Sequence, residues 1–306
     1  MLPELLVKNR ILVFGSNGML GQRISEYFKT NSLELLTSSV EEKSFIEGLD
    51  YVQCDITDRN KTKNLIYEFC PDFIINAAAF TNVDLAETER ETAWRVNVKS
   101  VEYMAEAARI IDAHIVHFST DYIFDGKNGP YLESAMPNPL GYYGRTKLAS
   151  ENVLKLYAVK HTIIRTNVLY GPAKFGRPDF VKWVVNSLKE NKQIKIVTDQ
   201  INNPTYLDDL VQALDKIIES KREGVYNIGG REFLSRFEFT QIIAEYFSLD
   251  KSLIIPITTE ELKQPARRPL KSGLITIKAQ SELGYRPHTI EEALSEMKKE
   301  VFADKV

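Results

Sequence analysis

The chain has 306 residues, 43% of them hydrophobic and 26% charged, with a formal net charge of -3. This is enough for one large domain or two closely packed ones, in a composition ordinary for a globular protein. So small a net charge speaks against nucleic acid or an anionic membrane as the main partner, and no apolar run approaches the ~20 residues of a membrane span.

The N-terminal MLPELLVKNR has no cleavable apolar stretch, and Cys54 and Cys70 show no metal or redox spacing. Both features point to a cytoplasmic protein in a reducing compartment. Arg10 to Phe14 reads as a compact strand, followed by a glycine turn and a helix ending near Lys29. Further strands are expected at Leu33 to Leu36, Tyr51 to Gln53, Phe73 to Ile75, Ile115 to Phe118 and Thr162 to Arg165. Between them lie helical stretches from Asp58 to Cys70, from Glu87 to Ile111 and from about Tyr143 to Tyr157. Strands joined by crossovers of helical length pair in parallel and wind right-handed, which predicts a doubly wound α/β fold of Rossmann type over residues 1–166. After Arg165 the loops lengthen and prolines cluster, with helices expected at Phe180 to Lys189 and Asp208 to Glu219. Residues 167–306 read as a smaller substrate-binding lobe, from which Val225 to Ile228 returns to the main sheet. A ligand belongs in the cleft between the two.

Gly15-Ser16-Asn17-Gly18-Met19-Leu20-Gly21 is a G-x-x-G-x-x-G turn between the first strand and first helix. Gly15 permits the tight turn, Gly18 lets backbone approach a pyrophosphate, and Gly21 lets the helix pack closely. The helix then aims unpaired N–H groups at the phosphates. Asp55-Ile56, after the third strand, offers a carboxylate to an adenine amino group. Ala77-Ala78-Ala79, after the fourth, leaves room for a cofactor. At the end of the second strand Thr37-Ser38-Ser39 gives hydroxyls where an acidic residue would select NAD, while Glu41 and Glu42 stand slightly too far on. NADP(H) is therefore favoured, with NAD(H) as the alternative.

Reducing a ketone requires a polarised carbonyl and a proton for the developing alkoxide. Tyrosine with a lysine four residues later on the same helix face can supply both. Two Tyr-x-x-x-Lys matches occur, but Tyr170 to Lys174 is interrupted by Gly171-Pro172, which leaves no helix to align the pair. Tyr143 and Lys147 run into a good helix. Thr120, or else Ser119, closes the fifth strand where it can hold the substrate oxygen, and Asn97 can anchor a water that links Lys147 to solvent. The four histidines suggest no metal site, since His114 and His117 fall on opposite faces of a strand and His161 and His288 are isolated. No G-x-S-x-G elbow supports a hydrolase.

GSNGMLG, NAAAFTNVDLAE, HFSTDYIFDG, YGRTKLASE, RTNVLYG, TDQINNPT and PARRPLKSG occur in an order that resembles an extended short-chain dehydrogenase/reductase of the dTDP-4-dehydrorhamnose reductase family, over nearly the whole chain. The resemblance implies hydride transfer from NAD(P)H to C4 of a dTDP-linked 4-keto-6-deoxy-L-sugar, which gives dTDP-L-rhamnose. Tyr143 would donate the proton, Lys147 would bind the nicotinamide ribose and lower the Tyr143 pKa, and Thr120 would orient the keto oxygen. Thr81, Val83, Asp121 and Tyr122 map to sugar-side positions, and Arg268 is a candidate for the pyrophosphate. Asn167 stands where members commonly carry a tryptophan. Arg23 stands where some place a metal-binding glutamate at a dimer contact, so no metal is expected there and a homodimer is left open. The alternatives are a nucleotide-sugar epimerase, for which a Cys/His acid–base pair is missing, an NADP-sensing binding protein, and a non-catalytic subunit resembling the methionine adenosyltransferase beta subunit.

Overall fold

The structure, a computed structural model, describes residues 9–30 and 33–301. What the sequence suggests for residues 1–8 lies outside the described residues. The apolar run of β1 (Arg10–Phe14) is buried on both faces, as a central parallel strand must be. It leads through the glycine turn into α1 (Met19–Lys29), whose Leu20, Ile24 and Phe28 recur every four residues and lie buried against the sheet. Burying each is worth roughly 1.5–3 kcal/mol.

Next come β2 (Glu34–Ser39), β3 (Asp50–Gln53) and α2 (Arg59–Phe69). The Asp58 side chain starts α2 by accepting from the N–H groups of Asn60 and Lys61. β4 (Phe73–Asn76) follows. The single helix expected from Glu87 to Ile111 is broken into α3 (Arg90–Trp94), a π-helical turn at Arg95–Lys99, and α4 (Ser100–Ile111). The wide turn seats the Asn97 amide in the interior, where it accepts from the Phe80 N–H at 2.8 Å and donates to the Phe80 carbonyl and to Thr146 Oγ1. A local period cannot reveal such a tertiary demand.

β5 (His114–Thr120), α5 (Tyr142–Tyr157) and β6 (His161–Thr166) complete the unit. The remaining elements are β7 (Leu169–Tyr170), α6 (Phe180–Lys189), β8 (Ile194–Val197), β9 (Ile201–Asn202), β10 (Thr205–Tyr206) and α7 (Leu207–Ser220). After them come β11 (Gly224–Asn227), β12 (Leu234–Ser235), α8 (Arg236–Tyr246), β13 (Ile254–Ile257), α9 (Thr259–Leu262), α10 (Ile277–Leu283) and α11 (Ile290–Val301).

Seven strands form one parallel sheet in the order β11-β6-β5-β4-β1-β2-β3. This is the doubly wound α/β architecture, and β11 from the second half pairs with β6. Alternate residues serve opposite faces: Ile11 and Val13 join a core with α1 and α7, while Leu12 and Phe14 join one with α2, α4 and α5. A third core, around Tyr170, Val184, Phe239 and Leu294, lies among α6, α8 and α11. There β8 pairs in parallel with β13 in a small sheet. Strand order reverses between β1 and β4, and ligands of open parallel sheets bind at the carboxyl ends beside such a switch.

Candidate active site

The loops that leave the carboxyl ends of β1 to β6 all reach one cleft of about 830 Å³. Gly15, Gly18, Met19 and Leu20 line it from the first loop, Ser39 from the second, and Asp55 and Ile56 from the third. Ala77, Ala78 and Ala79 line it from the fourth. Gly15 sits at φ +77°, and a Cβ there would come within 2.6 Å of the Ala78 nitrogen. At Gly21 a Cβ would stand 2.0 Å from the Gly15 carbonyl, so Gly21 acts by packing α1 against the turn and is not itself in the lining.

The residues present fit a dinucleotide. Among the described residues no side chain caps the N-terminus of α1, which leaves its first N–H groups free to meet a phosphate. Asp55 uses Oδ1 to accept from the N–H and hydroxyl of Thr57, each at 2.8 Å.

Three expectations change at this end. Asn17 is absent from the lining; its amide donates to Glu41 and the Lys43 carbonyl and accepts from the Phe45 N–H, fastening the loop after β2. Fastened in this way, that loop carries Glu41 into the cleft, although the sequence spacing had put it too far away. Ser38 lies beneath the glycine turn, its carbonyl accepting from the Gly15 and Ser16 N–H groups, and does not reach the cleft. Val40, Thr92, Arg95 and Val96 also line this end and were not expected. The last three come from the α3 region, whose path depends on the π turn.

Tyr143 and Lys147 lie one turn apart on α5 and both line the cleft, as does Thr120 at the end of β5. Tyr170 is buried in the third core and Lys174 pairs with Glu26, so the second Tyr-x-x-x-Lys match forms no pair. The Tyr122 ring meets the Tyr143 ring edge-on, with centroids 6.0 Å apart. Burial pushes the Tyr143 hydroxyl above its ordinary value, and the Asp121 carboxylate adds to this, against a lowering contribution from the Thr120 hydroxyl. The downward pull expected from Lys147 does not act on Tyr143 in the free protein, whose shift comes from burial, Asp121, Tyr122 and Thr120. Burial also brings Lys147 down to about 8.

Asn97 is fully engaged by Phe80 and Thr146, and the group that touches Lys147 Nζ is His117 Nε2, at 3.2 Å. Ser119 is likewise committed, donating to Glu151 at 2.6 Å, and Glu151 is held by a bidentate pair with Arg165. That leaves Thr120 as the hydroxyl beside Tyr143. It accepts from the Tyr122 N–H at 3.2 Å and donates to Asp121 at 3.1 Å. Burial raises Asp121 to about 6 despite hydrogen bonds from Ser272 and Thr120.

Beyond Tyr143 the cleft continues into a second cavity of about 690 Å³, with Thr81, Val83, Tyr122, Val168 and Leu169 common to both walls. Its cationic side chains are Arg177, Lys195, Arg236 and Arg268. Arg268 holds Asp84 in a bidentate pair at 2.5 and 2.8 Å, so its charge is partly spent within the protein. Arg236 begins α8 and lies over the Phe180 ring at 4.9 Å. Sequence reasoning singled out Arg268 and missed Arg236, although Ser235 and Glu238 form a capping box that marks this helix start. Asp121 and Asn167 line the first cavity only. Asn167 donates to Asn203 at 2.7 Å and accepts from Thr205 at 3.0 Å, and so ties β6 to the loop around β10. Arg23 lies apart from both cavities and pairs with Asp208, Glu26 and Glu300.

Comparison with known proteins shows the family and the fold. Residues 9–302 match the RmlD substrate binding domain. The chain is 34% identical to a dTDP-4-dehydrorhamnose reductase from Aggregatibacter actinomycetemcomitans, over 94% of this chain and 98% of that protein. A dTDP-4-dehydrorhamnose reductase from Bacillus anthracis, solved in complex with NADP, superposes with a TM-score of 0.83 at 32% identity, covering 96% of this chain and all of that one. The chain is also 27% identical to the methionine adenosyltransferase 2 subunit beta of Danio rerio, over 87% of this chain and 82% of that protein.

Proposed function

This chain belongs to the RmlD substrate binding domain family, and we propose that it is an NAD(P)H-dependent oxidoreductase that reduces the C4 ketone of a dTDP-4-keto-6-deoxy-L-sugar, dTDP-4-dehydrorhamnose, to dTDP-L-rhamnose. One observation carries the reading: a dinucleotide cleft holding Tyr143, Lys147 and Thr120 runs directly into a second cavity with four cationic side chains. A nucleotide sugar needs both a reducing centre and cations for its diphosphate.

NADP(H) is the favoured cofactor and NAD(H) the alternative; Glu41 in the lining gives NAD(H) a carboxylate for its ribose hydroxyls. The bound dihydronicotinamide supplies the hydride. Tyr143 delivers the proton to the new C4 oxygen, since burial keeps its hydroxyl protonated until an alkoxide develops beside it. Lys147 holds the ribose and supplies positive charge below Tyr143. Thr120 turns its hydroxyl from Asp121 to the keto oxygen. Thr81, Val83 and Tyr122 flank the sugar at the junction of the two cavities, and Arg236 with Arg268 meets the diphosphate. No helix among the described residues is long and apolar enough to cross a membrane. Our reading places the protein in the cytoplasm, without a nucleic-acid partner, and leaves room for a homodimer.

The test is spectrophotometric turnover against a panel of nucleotide 4-keto sugars with each cofactor. NADPH consumption that depends on the dTDP-4-keto-6-deoxy sugar is expected. Similarity to the methionine adenosyltransferase subunit favours a second reading, a non-catalytic NADP-binding subunit. Tight NADPH binding without turnover on any sugar of the panel would support that reading and overturn the first.

A further inference from the structure

We propose that His117 is the positioning residue of Lys147: it carries its proton on Nε2 and turns that N–H toward the lysine amine, so that Lys147 gains its full charge only as the cofactor site fills. The inference rests on the reductase reading above, because it concerns how Lys147 meets a cofactor.

The argument follows a chain of hydrogen bonds. The Ala78 N–H donates to Asn76 Oδ1 at 3.2 Å, which fixes the amide and turns its Nδ2 toward His117 Nδ1, also at 3.2 Å. An amide NH2 can only donate, so Nδ1 must accept, and a neutral imidazole then holds its proton on Nε2. Nε2 has two neighbours, Ser150 Oγ at 2.9 Å and Lys147 Nζ at 3.2 Å. Ser150 donates its own proton to the Lys147 carbonyl at 2.7 Å and is therefore an acceptor for the histidine. A charged ammonium has no lone pair and would set N–H against N–H at Nζ. A neutral amine turns its lone pair to the histidine, whose one Nε2 proton is then shared between Nζ and Ser150 Oγ without setting N–H against N–H. An imidazolium would instead place two cations side by side in the interior, where burial and Lys147 both hold His117 well below its ordinary basicity.

The other groups around the pair do not remove this conflict. Glu151, one turn beyond Lys147 on α5, favours the charged lysine, but its oxygens are taken by Arg165 and Ser119. Tyr143 on α5 and Asp121 after β5 line the cleft, and His161 on β6 opposes a charge on His117. A ribose diol entering the cleft offers the amine the acceptors that His117 withholds. Binding should then draw a proton from solvent.

Two measurements on the full chain test this. In protein labelled with 15N-histidine, the His117 signals, assigned by their loss in His117→Gln, should show protonated Nε2 and bare Nδ1 at about pH 7. Asn76→Asp keeps the acceptor for Ala78 and offers one to Nδ1, so the proton should move to Nδ1. In calorimetry of NADPH binding near pH 8, run in two buffers of different ionisation enthalpy, wild type should take up a fraction of a proton. Both variants should take up roughly half as much or less. Protonated Nδ1 in wild type, or equal uptake in wild type and variants, would overturn the proposal. Should His117→Gln fail to fold, Asn76→Asp decides by both readouts. Should neither NADPH nor NADH bind, the reductase reading falls and the tautomer still decides this one.

Discussion

Replacing Arg165 by methionine should destabilise the protein by about 3–5 kcal/mol, because it strands a buried carboxylate. Arg165 and Glu151 are 3% and 0% exposed, and the guanidinium gives Glu151 two hydrogen bonds, at 3.0 and 2.7 Å. Without it Glu151 keeps, among the described residues, only the Ser119 hydroxyl, and Oε2 loses its donor. The attraction of two unit charges about 4 Å apart is roughly 4 kcal/mol at an effective dielectric constant near 20, in line with that range. A further bond, from Arg165 to the Glu133 carbonyl at 2.9 Å, is lost at a cost of about 1 kcal/mol. Urea denaturation of wild type, Arg165→Met and the double variant Arg165→Met/Glu151→Leu measures these terms. The double variant should recover at least about half of the loss, since two apolar groups leave no unpaired charge. A loss below about 1 kcal/mol in the single variant would refute the reasoning.

Gly21→Ala should cost about 1–3 kcal/mol and weaken NADPH binding, because its Cβ would meet the Gly15 carbonyl at 2.0 Å and push α1 off the turn; melting curves and a fluorescence titration of NADPH read both effects. Asp121 is raised to about 6, so its share of stability is fully present below about pH 4 and is lost as pH rises through 6. Asp121→Asn should therefore gain on wild type by about 2–3 kcal/mol between pH 4 and 7, measured by denaturation at each pH; a difference independent of pH would contradict it. Arg236→Met should raise KM for the nucleotide sugar roughly tenfold or more with a smaller change in kcat, as expected for a lost charge-assisted bond to the diphosphate. An unchanged KM would remove Arg236 from the substrate site.

The strands and the Tyr143 helix could be read from the sequence because their signals are local: apolar runs flanked by glycine, and a lysine one helical turn after a tyrosine. What could not be read depends on groups distant in the chain. The π turn exists because Asn97 bonds to Phe80 and Thr146, which no periodicity encodes. Glu41 enters the cleft on a loop after β2 that Asn17 of the glycine turn and Tyr51 and Gln53 of β3 hold in place. Arg177 from the loop before α6, Lys195 from β8 and Arg236 from α8 line the second cavity together, so no spacing links them. The strand alternation of β5 puts His117 opposite His114, but only the fold shows that this face turns it to Lys147.

The central claim is that Tyr143 protonates a sugar C4 oxygen within a Tyr143–Lys147–Thr120 site. Its most direct test is NADPH consumption on dTDP-4-dehydrorhamnose by wild type and Tyr143→Phe, with NADPH affinity measured in parallel. We expect turnover by wild type, a fall in kcat of about 100- to 10,000-fold in the variant, and NADPH affinity little changed. Full activity in Tyr143→Phe, or no turnover by a wild type that binds NADPH, would contradict the account.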